Sequence, residues 1–311
     1  MTPDADRLAS SAAARRALPT ASIAAVAALP PADPALPAEA GACASCREPL
    51  VGAYCHACGE RRLGPHDYRL SHFFEYALHT FTHFDFKVPR SVWSLVRRPG
   101  VMTADVLAGR RVGWASPLQV FVLVNLAFYL LASASNAHFL DAPLENHLSN
   151  GVYGTLAQRI VAGHLAGPGA VAYREHFDAV GHTLSKTVPV LLVPLFAMTL
   201  AVLFWRRRRY ALEHLTAAVH LVSLLLVVGM AVLVGFIALV YGLRLHLSGD
   251  TPLVAFYFTS LAASFAVFFR RVYGEAWAVS AAKGIAFVTV FAVVLHPLYR
   301  FLLFLATVAL A

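Results

Sequence analysis

Residues 215–243 read LTAAVHLVSLLLVVGMAVLVGFIALVYGL, an apolar run without a single Asp, Glu, Lys or Arg. A helix needs about 20 such residues to cross the hydrocarbon core of a bilayer, so this stretch can span by itself. Four further runs are long and apolar enough to do the same: Pro117–Ser135, Thr187–Trp205, Pro252–Phe269 and Gly284–Ala306. Inside lipid every backbone N–H and C=O must find a partner within the protein, and a continuous helix supplies them all. The expected fold is an all-α membrane protein, a bundle of about five transmembrane helices. Composition agrees, with 59% hydrophobic and 14% charged residues, where soluble chains carry about 25% charged. The mean hydropathy is +0.64.

The loops between these runs are unequally charged. Arg97, Arg98, Arg110 and Arg111 precede the first run, Arg206 to Arg209 follow the second, and Arg270, Arg271 and Lys283 separate the fourth from the fifth. If the spans alternate, these fall on one side, against Arg159, Arg174, Lys186 and Arg244 on the other. Eleven against four predicts a cytosolic N-terminus and an external C-terminus by the positive-inside rule. The formal net charge of +8 therefore points to anionic lipid headgroups as partners. No basic stripe with interleaved aromatics marks a nucleic-acid surface, and no such partner is expected.

Before the first span lie the chain's four cysteines, as Cys43-Ala-Ser-Cys46 and Cys55-His-Ala-Cys58. Two C-x-x-C knuckles joined by a short hairpin present four thiolates to one tetrahedral ion, which predicts a zinc ribbon over residues 42–63. With all four positions filled by sulfur, such a site is structural, and His56 inside the second knuckle is not needed. Two disulfides in a secreted head are the alternative. A zinc site needs reduced thiols, which the cytosol keeps, in agreement with the charge bias.

Residues 1–41 are Ala- and Pro-rich and read as a disordered tail. Arg15 and Arg16 ahead of the short apolar patch Ile23–Leu29 only faintly resemble a signal peptide. Residues 64–116 read as amphipathic juxtamembrane helices. Phe73, Phe74, Ala77, Leu78, Phe81 and Phe84 form one apolar face. A second helix lies around Ser91–Arg97 and ends at Pro99-Gly100, and a short third, Met102–Leu107, is closed by Gly109. The transmembrane bundle then occupies residues 117–311. Its external loop, at about 136–186, contains two amphipathic helices, Leu156–Leu165 and Ala172–Leu184. The histidines of that loop share no face and carry no assignment.

Three polar constellations remain. Glu75, His79 and His83 are four residues apart and stack on one helical face, a spacing that can bind a second metal. An interfacial role, with each imidazole tip in water, is the simpler reading. Glu213, His214 and His220 open the third span, and an ionisable residue such as His220 within a membrane suggests function unless helix packing satisfies it. His296-Pro297 should kink the fifth span, and Arg300 beyond it is available to a lipid phosphate or to an acid of the external loop.

Several segments resemble one family. They are Cys43-x2-Cys46-Arg-Glu-Pro-Leu-x-Gly-x-Tyr54-Cys55-x2-Cys58-Gly59-Glu, Leu70-Ser-His-Phe-Phe, Arg97-Arg98-Pro99-Gly100, Gly109-Arg110-Arg111, Tyr210-Ala-Leu-Glu213-His214 and Val272-Tyr273-Gly274-Glu-Ala-Trp277. Together they are similar to the domain of unknown function 3667 family. That resemblance implies a bacterial inner-membrane protein headed by a zinc ribbon, and it implies no activity. No span holds an Asp or Glu in its interior, no phosphate-binding glycine loop occurs, and an enzyme has little support. The expected role is a scaffold, assembly or regulatory component whose ribbon docks a protein partner. The alternatives are a small-solute transporter or channel-like bundle with His220, His296 and Arg300 along its path, and a membrane-embedded metalloenzyme using Glu75, His79, His83 and His214.

Overall fold

The computed structural model describes residues 41–64, 86–135, 142–185, 189–207, 210–239 and 251–311. Among these no strand occurs, only isolated bridges in the N-terminal head between Ala42 and Pro49 and between Tyr54 and Arg61. The remainder is helical: α1 Val88–Arg97, α2 Val101–Leu107, α3 Pro117–Ser135, α4 Leu144–Leu148, α5 Gly154–Leu165, α6 Ala170–Ser185, α7 Pro189–Leu203, α8 Ala211–Ile237, α9 Thr251–Tyr273, α10 Trp277–Val290, a π-helical turn Phe291–Leu295, and α11 His296–Leu310.

The apolar residues 215–237 lie in α8, the centre of the bundle. Helix α8 is apolar all round, as a helix enclosed by others must be, and 78% of its most apolar window is buried. Helices α1, α2, α3, α7 and α9 surround it. A sheath of rings from α7 and the turn after it, α9, α10 and the π-helical turn packs alongside, with Phe196 edge-on to Phe287 and Phe291, and Phe204 stacked on Tyr273 at 3.6 Å. Helices α9 and α10 meet closely because Gly284 has no side chain. A β-carbon there would stand 3.0 Å from the Ala262 carbonyl oxygen and the Ala266 nitrogen.

Among the described residues four helices are long and apolar enough to cross a membrane: α3, α8, α9 and the continuous α10–α11 unit. The second expected span is realised differently. Helix α7 has only 15 residues and reaches spanning length together with α6, from which it is bent by 57°. The helix expected at 172–184 is α6, and with α7 it forms one further candidate crossing, by length and composition, interrupted at that bend. The kink expected at Pro297 takes the form of the preceding π-helical turn, in which the His296 N–H donates to the Phe291 carbonyl. Proline lacks an N–H and crowds the carbonyl four residues back, so a wider turn upstream accommodates it.

Two features position the candidate sites. At the basic end, α1 and α2 pack into the bundle: Leu95, Met102 and Thr103 are fully buried, and a side chain at Gly100 (φ +87°) would collide with the α9 backbone at Phe268. At the other end, α4, α5 and α6 build a small core on α11 from Leu144, Tyr153, Val161, Phe177 and Phe304.

Candidate metal centre

The head is a short sequence folded twice. In the first knuckle the Arg47 N–H donates to the Cys43 carbonyl (2.9 Å) and the Cys43 N–H to the Glu48 carbonyl (2.8 Å). In the second, Gly59 donates to Cys55 (2.9 Å) and Cys55 to Glu60 (2.8 Å). Each turn needs a left-handed residue directly after its second cysteine, and Arg47 (φ 67°) and Gly59 (φ 75°) fill the two equivalent places. Glycine does so without strain, arginine at a cost of about 1–2 kcal/mol.

This duplication brings the sulfurs together. Cys43 and Cys58 lie 3.6 Å apart, Cys46 and Cys55 3.5 Å, and all four Sγ atoms fall within 4.8 Å of one another. Metal–sulfur bonds of about 2.3 Å in tetrahedral geometry place sulfurs roughly 3.8 Å apart, so a single ion fits. As thiolates the four sulfurs would need a cation between them. Backbone N–H groups of Cys46 and Ser45 bring Cys43 down to about 7. At Cys58 the Glu60 N–H pulls the same way, but burial and the three other sulfurs outweigh it and push the thiol up to about 12. Four thiolates at this spacing are stable only around positive charge. The cysteines are free thiols in one four-way cluster, not two disulfides.

Glu60, two residues past the last cysteine, fastens this head to the membrane helices. It is 4% exposed, and its Oε2 accepts from the backbone N–H groups of Arg111 (2.8 Å) and Val112 (3.0 Å) and from the Ser45 hydroxyl (2.6 Å). The receiving loop is shaped by the end of α2. Gly109 (φ 81°) donates to Val106 and Arg110 donates to Asp105, the double bond of a Schellman stop. Asp105 also holds the Arg110 guanidinium and accepts from Trp114 Nε1 at 3.0 Å. Leu63 and Ala44 of the head pack beside Gly109, whose positive φ rather than its lack of a side chain is what the turn requires. Glu60 is not among the residues that motif spacing singles out, although an acid directly after the second cysteine knuckle was visible in the sequence.

The polar residues of the spans fall into separate places. His220 is fully buried, with Nδ1 2.8 Å from the Thr103 hydroxyl of α2. His214 lies 3.4 Å from the Tyr273 hydroxyl. Arg207 turns to Glu275 (3.6 Å), which also binds Lys283 at 2.7 Å. His296 and Arg300 lie at the opposite end of the bundle. There Arg300 acts on His147, which is held 2.8 Å from the Tyr153 hydroxyl. Burial, with that positive charge, lowers His147 to about 4. No hydrogen bond among the described residues joins His220 to His296 or Arg300. Glu75, His79 and His83 lie outside the described residues.

A helical membrane bundle with a four-cysteine cluster, able to hold one metal ion, docked at its basic end is the class these observations define. Residues 85–129 match the model of a family described as protein of unknown function (DUF3667), the family the sequence resembles. The match covers α1, α2 and most of α3, and begins after the cysteine knuckles. No curated protein and no solved structure matches the chain.

Proposed function

We propose that this is a bacterial inner-membrane scaffold or assembly component. Zinc holds its cytosolic head in shape, and the head docks a protein partner. The observation that carries the reading is the division of the head into two faces. Glu60, Leu63 and Ala44 meet the membrane domain. Val51 and Tyr54, on the hairpin between the knuckles, stand 93% and 63% exposed. A filled thiolate shell leaves no position for substrate, so the ion acts through the surface it shapes. Eleven basic residues on the loops of one side and the requirement for reduced thiols both support the cytosolic orientation.

The test is a photo-crosslinker in place of Tyr54 in native membranes, with Val152 as an exposed control on the far loop. The expected result is one recurrent adduct from Tyr54, lost when Cys55→Ser removes the metal. Adducts that are the same at both positions, or that survive loss of the metal, sink the docking role. Elemental analysis of the purified chain should give about one zinc, absent from Cys55→Ser/Cys58→Ser.

A further inference from the structure

We propose that a groove between α8 and α9 is a binding site for one acyl chain of an anionic phospholipid, with its phosphate held at Arg98 and Arg271. The groove has a volume of about 620 Å³, within the roughly 300–1,000 Å³ range of built ligand sites. One wall is the α8 stripe Leu224, Val228, Ala231 and Gly235; the other is the α9 stripe whose polar members are Ser260 and Ser264. At 1.5 Å per residue the α9 wall from Pro252 to Ser264 is about 18 Å long. That length suits a single extended chain entering at the Ser264 end. Because α8 and α9 both qualify as membrane spans, the molecules that reach an apolar slot on their flank are lipids.

Charge at one end selects the kind of lipid. Val96 of α1 lines the groove, and Arg97 and Arg98 follow it directly with exposed side chains. Arg97 leans on Trp93, its guanidinium 5.6 Å from the ring. Arg271 lies seven residues beyond Ser264, two turns along the same face of α9. It donates from Nη1 to the Pro99 carbonyl at 3.0 Å, which brings it beside Arg98. Two arginines at the basic end of an acyl-length slot present a phosphate site backed by a tail site.

The chain purified into nanodiscs would be tested with phosphatidylglycerol or phosphatidylcholine carrying a diazirine in one acyl chain. The expected result is adduct formation on α8 and α9 peptides at least about fivefold stronger with phosphatidylglycerol. Ser260→Phe/Ser264→Phe, or Ala231→Phe from the opposite wall, should abolish it with the thermal midpoint retained. Arg98→Gln/Arg271→Gln should leave adducts but bring the two lipids to parity. Equal labelling by both lipids in the unaltered chain overturns the proposal. So do adducts that persist in both groove-filled forms.

Discussion

Replacing Glu60 by alanine should free the head from the bundle without emptying the metal site. The carboxylate supplies no ligand but accepts two backbone N–H bonds from Arg111 and Val112. Hydrogen bonds to a charged group contribute about 1.5–3 kcal/mol each, so the clamp is worth on the order of 3–6 kcal/mol. The released amides also lie where the Schellman stop has already used the nearby carbonyls of Asp105 and Val106. Amide hydrogen exchange in detergent reads this directly. At about 1.4 kcal/mol per tenfold change, exchange at Arg111 and Val112 should rise roughly 100-fold or more in Glu60→Ala. Glu60→Gln, which keeps an acceptor oxygen and loses the charge, should fall between the two. Metal content should stay at the unaltered value in both. Unchanged exchange at those amides would refute the clamp, and loss of the metal would move Glu60 from docking to the ion's own surroundings.

Further outcomes follow from single positions. Arg47→Gly relieves the left-handed strain at the first knuckle and should stabilise the folded head by about 1 kcal/mol, read as severalfold tighter metal binding in a chelator competition. Gly284→Val should destabilise the α9–α10 pair by about 1–3 kcal/mol through the 3.0 Å approach to Ala262 and Ala266, whereas Gly235→Ala, with open space beside it, should be neutral or better in the same thermal melt. His147 titrates at about 4 when folded and about 6.5 when unfolded, so the unfolded chain takes up the proton first. Its contribution, at most about 3 kcal/mol at 1.36 kcal/mol per unit, is complete above pH 6.5 and lost as pH falls toward 4. Pro/Gly-free replacement by His147→Phe should flatten that part of the stability profile; an unchanged acid limb would remove the histidine from the account.

The spans were legible because their signal is summed over about 20 residues, and α3, α8 and α9 lie where apolar length places them. Cap residues served in part: Gly109 ends α2 through positive φ, as glycine after a helical run implies, whereas Gly100, also at positive φ, opens α2 and α1 stops at Arg98. The bend between α6 and α7 was not legible, since composition reports apolar length and not the direction of the chain, and the packing of α6 on α11 left no mark in its amphipathic pattern. Cysteine spacing disclosed the donor set, whereas Glu60 answers to backbone N–H groups some fifty residues away, which leave no side-chain signature. His220 stood out as costly in a membrane, but the hydroxyl that satisfies one of its nitrogens belongs to a short helix outside every predicted span.

That pairing of Thr103 with His220 sets an order of assembly. The two residues are 117 positions apart, so at synthesis rates of about 5–20 residues per second roughly 6–23 s separate their appearance. Throughout that interval α2 has left the ribosome while the helix that buries it has not. The first span can be inserted early, but the fold around its N-terminal side closes only when the third arrives. Truncation before α8 would therefore leave Met102 and Thr103 uncovered, presenting the cell's quality control with a recognisable unfinished surface.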